Sequence, residues 1–365
     1  MRLYFLQLKI QFIRIKNMID SADISVVVQG PVNYEQTKEC LKSIRKFLPK
    51  SEIILSTWEN SKTEDLDFDV LLLNKDPGGV QHDFAIYNLP CCTNNFNRQL
   101  VSTANGIKKA SRSYILKLRT DLILLSSNFL RYWDCFTVRN DKFKIFEHRV
   151  LCCTLYSREY SCQYGTGYPV PFHVSDFWFF GRKVDLVSYI VDCPLQGKNE
   201  SSLWQYKYPT RLPYITFTWR FAPEQFFCVN WAKKYYPSLR FEDWSDWNPE
   251  NIELSNDVLY NNFIFLEYSQ SGIYSSKHSW AFENSNKIQG LITFHRFEEQ
   301  YKNLCDNKYN ITQDRKNPLL EVKLKKHLTA FASPVHKFFS WLGEPFSVVY
   351  YLMRIGIRQL LSLGH

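Results

Sequence analysis

Hydrophobic and polar positions alternate along the first part of the chain in a way that predicts strands and helices in turn. Residues 24–28 are apolar and mostly β-branched, which is typical of a strand buried on both faces. Residues 34–48 carry apolar side chains at helical spacing, and Pro49 ends that helix. Two further strands are predicted at residues 52–56 and 70–73.

The same alternation continues after a long segment with little periodicity. Residues 74–90 contain several turn-forming residues and are predicted to be a loop. A helix is predicted at residues 94–110, followed by a strand at 114–118 that ends in Arg119-Thr120-Asp121. Alternation of this kind predicts an α/β fold with a mostly parallel sheet and flanking helices, which binds ligands at the carboxyl ends of its strands.

The pattern becomes mixed beyond about residue 143. A loop rich in Gly and Tyr is predicted around residues 164–171, and a helix is expected to begin at Pro223-Glu224, because proline is favoured at the first helical position. We expect residues 21–310 to form one domain with halves at 21–142 and 143–310.

Composition supports a folded protein with reduced cysteines. Hydrophobic residues make up 45% of the 365 residues and aromatic residues 16%, which excludes a disordered chain. The ten cysteines occur as two adjacent pairs and as scattered single residues, with no CxxC spacing. We therefore expect buried thiols and neither a disulfide framework nor a structural zinc site.

The charge of the chain favours acidic partners. The formal net charge is +9, yet no zinc knuckle, RNP-like stretch or basic recognition helix is present, so nucleic acid is not an expected partner. Basic residues interrupt the apolar residues 1–20, which predict neither a signal peptide nor a membrane span. Residues 311–365 combine basic and aromatic residues, which favours helices on an anionic membrane surface; packing against the domain is the alternative.

The first candidate site follows the strand predicted at residues 114–118. An Asp at the ligand edge of a parallel sheet, such as Asp121, can hold Mg²⁺ or Mn²⁺ at a diphosphate. A carboxylate paired with the neighbouring Arg119 is the alternative. Arg98, near the start of the helix predicted at residues 94–110, is a candidate phosphate ligand, and a solvated arginine is its alternative.

A second candidate site lies in the later half of the chain. His173 and Asp176 stand between two aromatic stretches, as in a sugar pocket, where rings stack on the sugar and carboxylates bind its hydroxyls. The alternative is a buried aromatic strand in which Ser175 or Asp176 caps a helix.

Two single residues complete the candidates. Glu224 opens a predicted helix, whose dipole is expected to lower the pKa of the carboxyl group and keep it ionised. Glu224 is then either a general base or a complement to the helix. His295 is a candidate metal or phosphate ligand, although a lone histidine among aromatics is more often a core residue.

A series of short motifs, collinear from about residue 24 to residue 301, resembles the WavE lipopolysaccharide-synthesis family. The motifs are Val28-Gln29-Gly30-Pro31, Cys40-Leu41-Lys42-Ser43-Ile44-Arg45, Ile54-Leu55-Ser56-Thr57-Trp58, Lys75-Asp76-Pro77-Gly78, Asn94-Asn95-Phe96-Asn97-Arg98-Gln99, Lys117-Leu118-Arg119-Thr120-Asp121, Phe172-His173-Val174-Ser175-Asp176 and Ala222-Pro223-Glu224-Gln225. The resemblance implies a GT-A-like glycosyltransferase that adds a sugar during assembly of lipopolysaccharide or a related surface polysaccharide.

The resemblance also implies roles for individual positions. A nucleoside-diphosphate sugar would be bound at Gln29, Gly30 and Pro31. We expect four further residues of the first half to bind it as well, namely Thr57, Trp58, Arg98 and Arg119. A divalent cation, Mn²⁺ or Mg²⁺, would be held by Asp121 and His295. The chain departs from the GT-A pattern at Arg119, which stands where the first Asp of the DxD motif is usual and cannot ligate a cation. Either Asp121 alone holds the metal, or Arg119 partly replaces the metal at the diphosphate.

The second half would then place the acceptor, a lipid-linked or core oligosaccharide. His173 would bind substrate, and Asp176 or Glu224 would be the base if the reaction inverts. The expected location is the cytoplasmic face of the bacterial inner membrane, with the protein bound peripherally to anionic lipid.

Two other functions remain open from the sequence. The first is a non-catalytic component that binds a sugar nucleotide or glycan within an envelope assembly complex, in which Arg119 marks a lost metal site. The second is a nucleotidyltransferase, but the segment after the first strand is too short and too neutral for its phosphate loop.

Overall fold

A seven-stranded sheet forms the centre of the protein, and helices cover it. The computed structural model describes residues 19–82, 92–161, 168–197, 200, 220–244, 246–285, 288 and 290–311. Its strands are β1 (Ile24–Gln29), β2 (Glu52–Trp58), β3 (Val70–Asn74), β4 (Val80–His82), β5 (Cys92–Asn94), β6 (Tyr114–Arg119), β7 (Ile123–Leu124), β8 (Val150–Cys153), β9 (Arg158–Ser161), β10 (Tyr168–His173), β11 (Phe179–Arg182), β12 (Phe263–Leu266) and β13 (Ile273–Tyr274).

The helices fall between these strands. They are α1 (Tyr34–Phe47), α2 (Phe96–Lys109), α3 (Lys183–Leu186), α4 (Pro223–Tyr235), α5 (Pro249–Asn262), α6 (Tyr268–Ser271), α7 (Ser279–Glu283) and α8 (Phe294–Leu304). Short helices of other types cover Ser21–Asp23, Asn128–Tyr132, Val187–Val191 and Ser276–His278. The α/β class predicted from the sequence is confirmed.

The central strands are buried because they lie between layers of helices. All six residues of β1 are buried, as predicted for its β-branched run. Helix α2 packs closely on this strand at Gly106, where a Cβ atom would lie only 2.3 Å from Cγ1 of Val27. A glycine at this position therefore allows the helix to approach the sheet.

The order of the large sheet is β12-β8-β11-β6-β1-β2-β3. The pairs β1–β2, β1–β6, β2–β3 and β12–β8 are parallel, whereas β11 is antiparallel to both of its neighbours. The sheet thus joins strands from both predicted halves of the domain.

The antiparallel direction of β11 has a direct consequence for the site. Phe179, at the start of β11, pairs with Lys117 near the carboxyl end of β6. The residues just before Phe179 therefore lie at the same edge of the sheet as the residues that follow β6. Asp176 and Asp121, far apart in the sequence, are brought to one edge by this register.

Two predicted loops contain regular structure. β4 lies within residues 74–90 and pairs with β5, and β10 covers the second half of the predicted loop at 164–171 and pairs with β9. The prediction of a loop was therefore wrong for part of each segment. These short strands lack an alternating apolar pattern, and each depends on pairing with another strand. Ser175 and Asp176 precede strand β11, so neither caps a helix.

The terminal predictions fall outside the part of the chain that the structure describes. Residues 1–18 and 312–365, which contain nearly all of the two terminal segments, are not among the described residues. Across the described helices, none combines the length and the apolar character needed to cross a bilayer. The cysteines whose side chains are described are free thiols, as expected: Cys40, Cys135, Cys152, Cys153, Cys193, Cys228 and Cys305.

Candidate functional site

A cavity of about 740 Å³ opens at the carboxyl ends of β1, β2 and β6. It is lined by residues from these strand ends, from the starts of three helices and from the segment after β13. The lining residues are Gln29, Gly30, Pro31, Val32, Asn33, Gln36, Trp58, Asp76, Asn95, Phe96, Arg98, Gln99, Arg119, Thr120, Asp121, Pro223 and Lys277. The predicted ligand edge of the sheet is therefore where the cavity lies.

A tight turn after β1 forms one wall of this cavity. Gly30 has a φ of +121°, a conformation that side chains with a Cβ rarely adopt. The turn is held against the end of β6, because Thr120 donates its hydroxyl to the carbonyl oxygen of Pro31 at 2.8 Å and its N–H to Gln29 at 3.1 Å. The motif Gln29-Gly30-Pro31 and the motif around Asp121 thus form a single structural unit.

Arg119 and Asp121 form a two-bond ion pair at the end of β6. Nε of Arg119 donates to Oδ1 of Asp121 at 2.9 Å, and Nη2 donates to Oδ2 at 2.7 Å. The guanidinium also lies 4.6 Å from the ring centroid of Phe177. This contact agrees with the alternative interpretation of Asp121, in which its carboxylate is paired with the neighbouring arginine.

Arg98 and Asp76 repeat this arrangement on another wall of the cavity. Nε and Nη2 of Arg98 each donate to Asp76 at 2.8 Å, and Nη1 donates to Oδ1 of Asn95 at 2.8 Å. The hydrogen bond from Arg98 lowers the pKa of Asp76. Asp76 therefore stays ionised, and Arg98 is held above the start of α2.

A second group of ionisable residues lies next to the cavity. Glu224 follows the cavity-lining Pro223 at the start of α4, and its Oε2 is 4.0 Å from Nε2 of His173. His173 is buried at the end of β10, where the residue before it, Phe172, has an unusual φ of +57°. This turn of the backbone and an irregular register in β10 fix the position of the His173 side chain.

The charge state of Glu224 differs from the sequence-based expectation. Burial, together with the negative charge of Asp176, raises the pKa of Glu224 to about 8, although Arg158 and Arg119 act in the opposite direction. The expectation that the helix dipole keeps Glu224 ionised was wrong, because desolvation and a like charge outweigh it. At neutral pH the carboxyl group of Glu224 holds a proton.

His173 is neutral for a related reason. Burial and then the positive charge of Arg158 lower the pKa of His173 to about 3. Its Nδ1 atom is buried and has no hydrogen-bond partner among the described residues. The two neighbours, Glu224 and His173, are thus both uncharged at neutral pH and do not form a salt bridge.

Lys117 is a functional candidate that the sequence analysis did not identify. It lies within β6, is only 1% exposed, and donates through Nζ to the main-chain carbonyl of Asp176. Gln99 donates to the same carbonyl at 3.3 Å. Burial lowers the pKa of Lys117 to about 8. A lysine in a strand otherwise buried on both faces was the available signal, since such a residue needs a polar partner.

Other predicted residues take different positions. Thr57 is buried beside the cavity without lining it, and its hydroxyl is 2.8 Å from that of Ser61. His295 lies in α8, where Nε2 is 3.4 Å from Glu299, and it does not line the cavity. Lys277, from the short helix Ser276–His278, does line it but was not predicted because its segment has no periodic pattern.

The described residues do not fit the predicted metal site. No group of three His, Cys, Asp or Glu side chains that could hold a metal ion is found among them. Asp121 and Asp76 are the carboxylates that line the cavity, and each already accepts two bonds from an arginine. Mg²⁺ and Mn²⁺ are bound by carboxylates through their negative charge, and here a guanidinium already offsets the charge of each one.

A comparison with protein-family models identifies the family of this chain. The model of a family described as WavE lipopolysaccharide synthesis matches residues 24–324. This match confirms the family resemblance found in the motifs and supports the predicted glycosyltransferase activity. No curated protein sequence matches the chain.

Solved structures with weaker similarity include two of Drosophila β-1,4-galactosyltransferase 7. One is a mutant in complex with manganese, UDP-Gal and xylobiose, with 11% identity over 46% of this chain and a TM-score of 0.23. The other is the catalytic domain in complex with xylobiose, with 12% identity over 46% of this chain and a TM-score of 0.24. The chain spans about half, 51%, of the length of each of these structures.

Proposed function

The chain belongs to the WavE lipopolysaccharide synthesis family, and we propose that it transfers a sugar from a nucleoside-diphosphate sugar to a lipid-linked or core oligosaccharide. The observation that supports this proposal most strongly is the position of a cavity next to a pair of interacting carboxyl groups. A cavity lined by cations at the carboxyl edge of a mostly parallel sheet lies beside Glu224, whose raised pKa depends in part on Asp176.

The cavity supplies what a nucleotide donor needs. The turn at Gly30 leaves room for a ligand to approach the backbone, and Trp58 offers an aromatic side chain at the end of β2. Arg98 and Arg119 offer guanidinium groups, which suit phosphate oxygens. This arrangement supports a GT-A-like use of the sheet edge, with the diphosphate between the first strand and β6.

Electrostatic stabilisation of the leaving diphosphate is the main catalytic effect in this proposal. Negative charge develops on the diphosphate as the bond to the sugar breaks, and prearranged positive groups stabilise that charge. The bond from the anomeric carbon to the diphosphate oxygen breaks, and a bond from that carbon to the acceptor oxygen forms. The acceptor hydroxyl loses its proton in the same reaction.

The pair Asp176 and Glu224 supports an assignment of roles for this proton. Two neighbouring carboxyl groups that interact share protons as a unit. Because Glu224 holds a proton at neutral pH, it is suited to donate a hydrogen bond to a sugar hydroxyl. Asp176 is then the candidate base toward the acceptor hydroxyl, and His173 lies beside Glu224 as a neutral substrate-binding group.

The family description and the charges of the terminal segments support a proposal for the acceptor and the location. The family description, lipopolysaccharide synthesis, supports an acceptor that carries a lipid. We therefore propose a peripheral position on the cytoplasmic face of the inner membrane, with the basic residues of the terminal segments on anionic lipid.

The test is release of the nucleotide from a panel of UDP-, GDP- and CMP-sugars by the purified full-length protein, with and without an oligosaccharide acceptor. We expect turnover with one diphosphate donor, stimulation by the acceptor, and a loss of roughly 100-fold or more in Asp176→Asn. Asp192→Asn, which changes a surface carboxylate paired with Lys234, is the matched control. Tight nucleotide binding without any turnover would instead favour a non-catalytic binding component.

A further inference from the structure

The carboxylates of the donor cavity raise the question of what neutralises the diphosphate. Both of them, Asp76 and Asp121, are occupied by arginines. We propose that Arg119 and Lys277 neutralise the diphosphate in place of a divalent cation, and that Asp121 positions Arg119. This inference rests on the proposed function and specifies how the same site binds its donor.

The geometry of Arg119 supports this role. An arginine has five N–H donors, and the pair with Asp121 uses only Nε and Nη2. Nη1 has no acceptor among the described residues and belongs to a side chain that lines the cavity. The contact with Phe177 and the two bonds to Asp121 fix the plane of the guanidinium. A cation held in this way needs little reorganisation to bind a phosphate oxygen.

Lys277 adds a charge that no carboxylate of the described chain offsets within ion-pair distance. It lines the cavity from the short helix Ser276–His278, and His278 of the same helix lies 5.3 Å from the ring of Phe177. The cavity therefore has three cationic and two anionic side chains in its lining. The excess positive charge is available to a bound anion.

The helix starts increase this positive potential. Asn33 caps α1, Asn95 precedes α2, Pro223 is the first residue of α4, and all three line the cavity. The N-terminus of a helix carries a partial positive charge from its unpaired N–H groups. Three helices of 13 or 14 residues thus direct their positive ends toward the same space as the cationic side chains.

The experiment measures binding rather than turnover. UDP, GDP and inorganic pyrophosphate are titrated into the full-length protein by calorimetry, first in EDTA and then with 1 mM MnCl₂ or MgCl₂. We expect the probe that binds most tightly to have an affinity in EDTA within about threefold of its affinity with metal. We also expect a strong decrease in affinity with salt, as for an anion bound by side-chain cations.

Variants distinguish the roles of Arg119 and Lys277 from a general loss of structure. Arg119→Gln should weaken nucleotide binding in EDTA by at least about tenfold. Arg119→Lys keeps the positive charge but loses the planar set of N–H donors, so it should weaken binding by less. Lys277→Gln should weaken it several-fold. Arg182→Gln, which changes another carboxylate-paired arginine outside this cavity, should have no effect. Thermal unfolding identifies any variant that has lost its fold.

The outcomes distinguish this inference from the proposed function. Binding that appears only with Mn²⁺ or Mg²⁺ and is lost in Asp121→Asn would overturn the inference and leave the transferase proposal standing. Absence of binding by every probe, with and without metal, would overturn both. Metal-independent binding that Arg119→Gln and Lys277→Gln leave unchanged would overturn the role of these two residues.

Discussion

Arg119 and Asp121, two residues apart at the end of β6, bind each other through two parallel hydrogen bonds of 2.9 and 2.7 Å. The side chain of Asp121 is only 11% exposed and that of Arg119 is 27% exposed. A carboxylate in this position can either hold a metal or orient an arginine. Its two oxygen atoms are already bonded to Arg119, which favours the second role.

The first prediction concerns Asp121→Asn. The amide keeps the shape of the side chain but can accept only one of the two hydrogen bonds from Arg119. Because the arginine is then less well oriented, we expect nucleoside-diphosphate affinity in EDTA to fall about three- to tenfold. Calorimetry measures this change.

Asp67→Asn is the control for that variant, because it changes another arginine-paired carboxylate that lies outside the cavity. An affinity that Asp121→Asn raises, or leaves equal to that of the control, would contradict a positioning role for Asp121.

The second prediction concerns the protonated carboxyl group of Glu224. Its folded-state pKa, about 8, lies above the ordinary value of 4.5. The contribution of Glu224 to the free energy of unfolding is therefore fully present below pH 4.5. It is lost as the pH rises toward 8, because Glu224 releases its proton at a lower pH in the unfolded chain than in the folded protein. Glu224→Gln carries a permanently neutral side chain and avoids this loss.

We therefore expect Glu224→Gln to be more stable than the wild type at pH 8 by on the order of 2 kcal/mol and to show a smaller difference at pH 5. Urea unfolding at the two pH values measures this. The wild-type rate should fall above pH 8 if a proton on Glu224 binds substrate, and this fall should be absent in the variant. The stability of Glu224→Gln is compared with that of the wild type at the same pH. If this difference were less favourable to the variant at pH 8 than at pH 5, it would contradict a protonated Glu224.

The third prediction tests Lys117 as a positioning residue. Lys117→Met removes the bond to the Asp176 carbonyl while keeping an unbranched side chain in the strand. We expect kcat to fall at least about tenfold with KM for the donor nearly unchanged, because the donor cavity is intact. The free energy of unfolding should change little, since an apolar side chain avoids the cost of a buried charge.

The rate measurement on Lys117→Met is paired with Lys183→Met. Lys183 also donates to a main-chain carbonyl, that of Ala110, but lies outside the donor cavity. A similar loss of kcat in both variants, or a loss confined to KM in Lys117→Met, would show that Lys117 does not position Asp176.

The fourth prediction concerns the backbone at Gly30. Gly30→Ala places a Cβ atom at a φ of +121° and 3.4 Å from Oγ1 of Thr120. We expect a loss of stability of about 1–3 kcal/mol and weaker nucleotide binding, because the turn at the cavity must shift. Thermal unfolding and calorimetry measure the two effects.

Gly78→Ala provides a comparison at another positive φ, +76°, where a Cβ atom would meet no atom within 4 Å. It should cost about 1 kcal/mol and affect nucleotide binding less. Equal effects of the two variants on nucleotide affinity would argue against the turn at Gly30 as part of the donor site.

The sequence pattern identified the parallel part of the sheet well, for a physical reason. β1, β2 and β6 are buried on both faces and so read as short apolar runs, and α1 and α2 have one buried face each. The small pairs β4–β5 and β9–β10 were missed, because their stability depends on contacts between strands and not on a local pattern.

The site was predictable where its residues follow strand ends or, like Arg98, lie at the start of a predicted helix. Gln29, Arg119 and Asp121 come directly after predicted strands, and they line one cavity. The position of Asp176 depends on the antiparallel direction of β11, which no local pattern specifies. Likewise, the charge state of Glu224 depends on burial and on Asp176, so the helix dipole alone predicted it wrongly.

A crystal structure of the full-length protein with the nucleoside diphosphate that binds best, grown in EDTA, tests the donor site most directly. We expect the base and ribose near Gly30 and Trp58, and diphosphate oxygens within ~3 Å of Nη1 of Arg119. The sugar-bearing end should point toward Asp176 and Glu224. A nucleotide bound outside this cavity, or one whose diphosphate points away from both carboxyl groups, would contradict the proposed donor site.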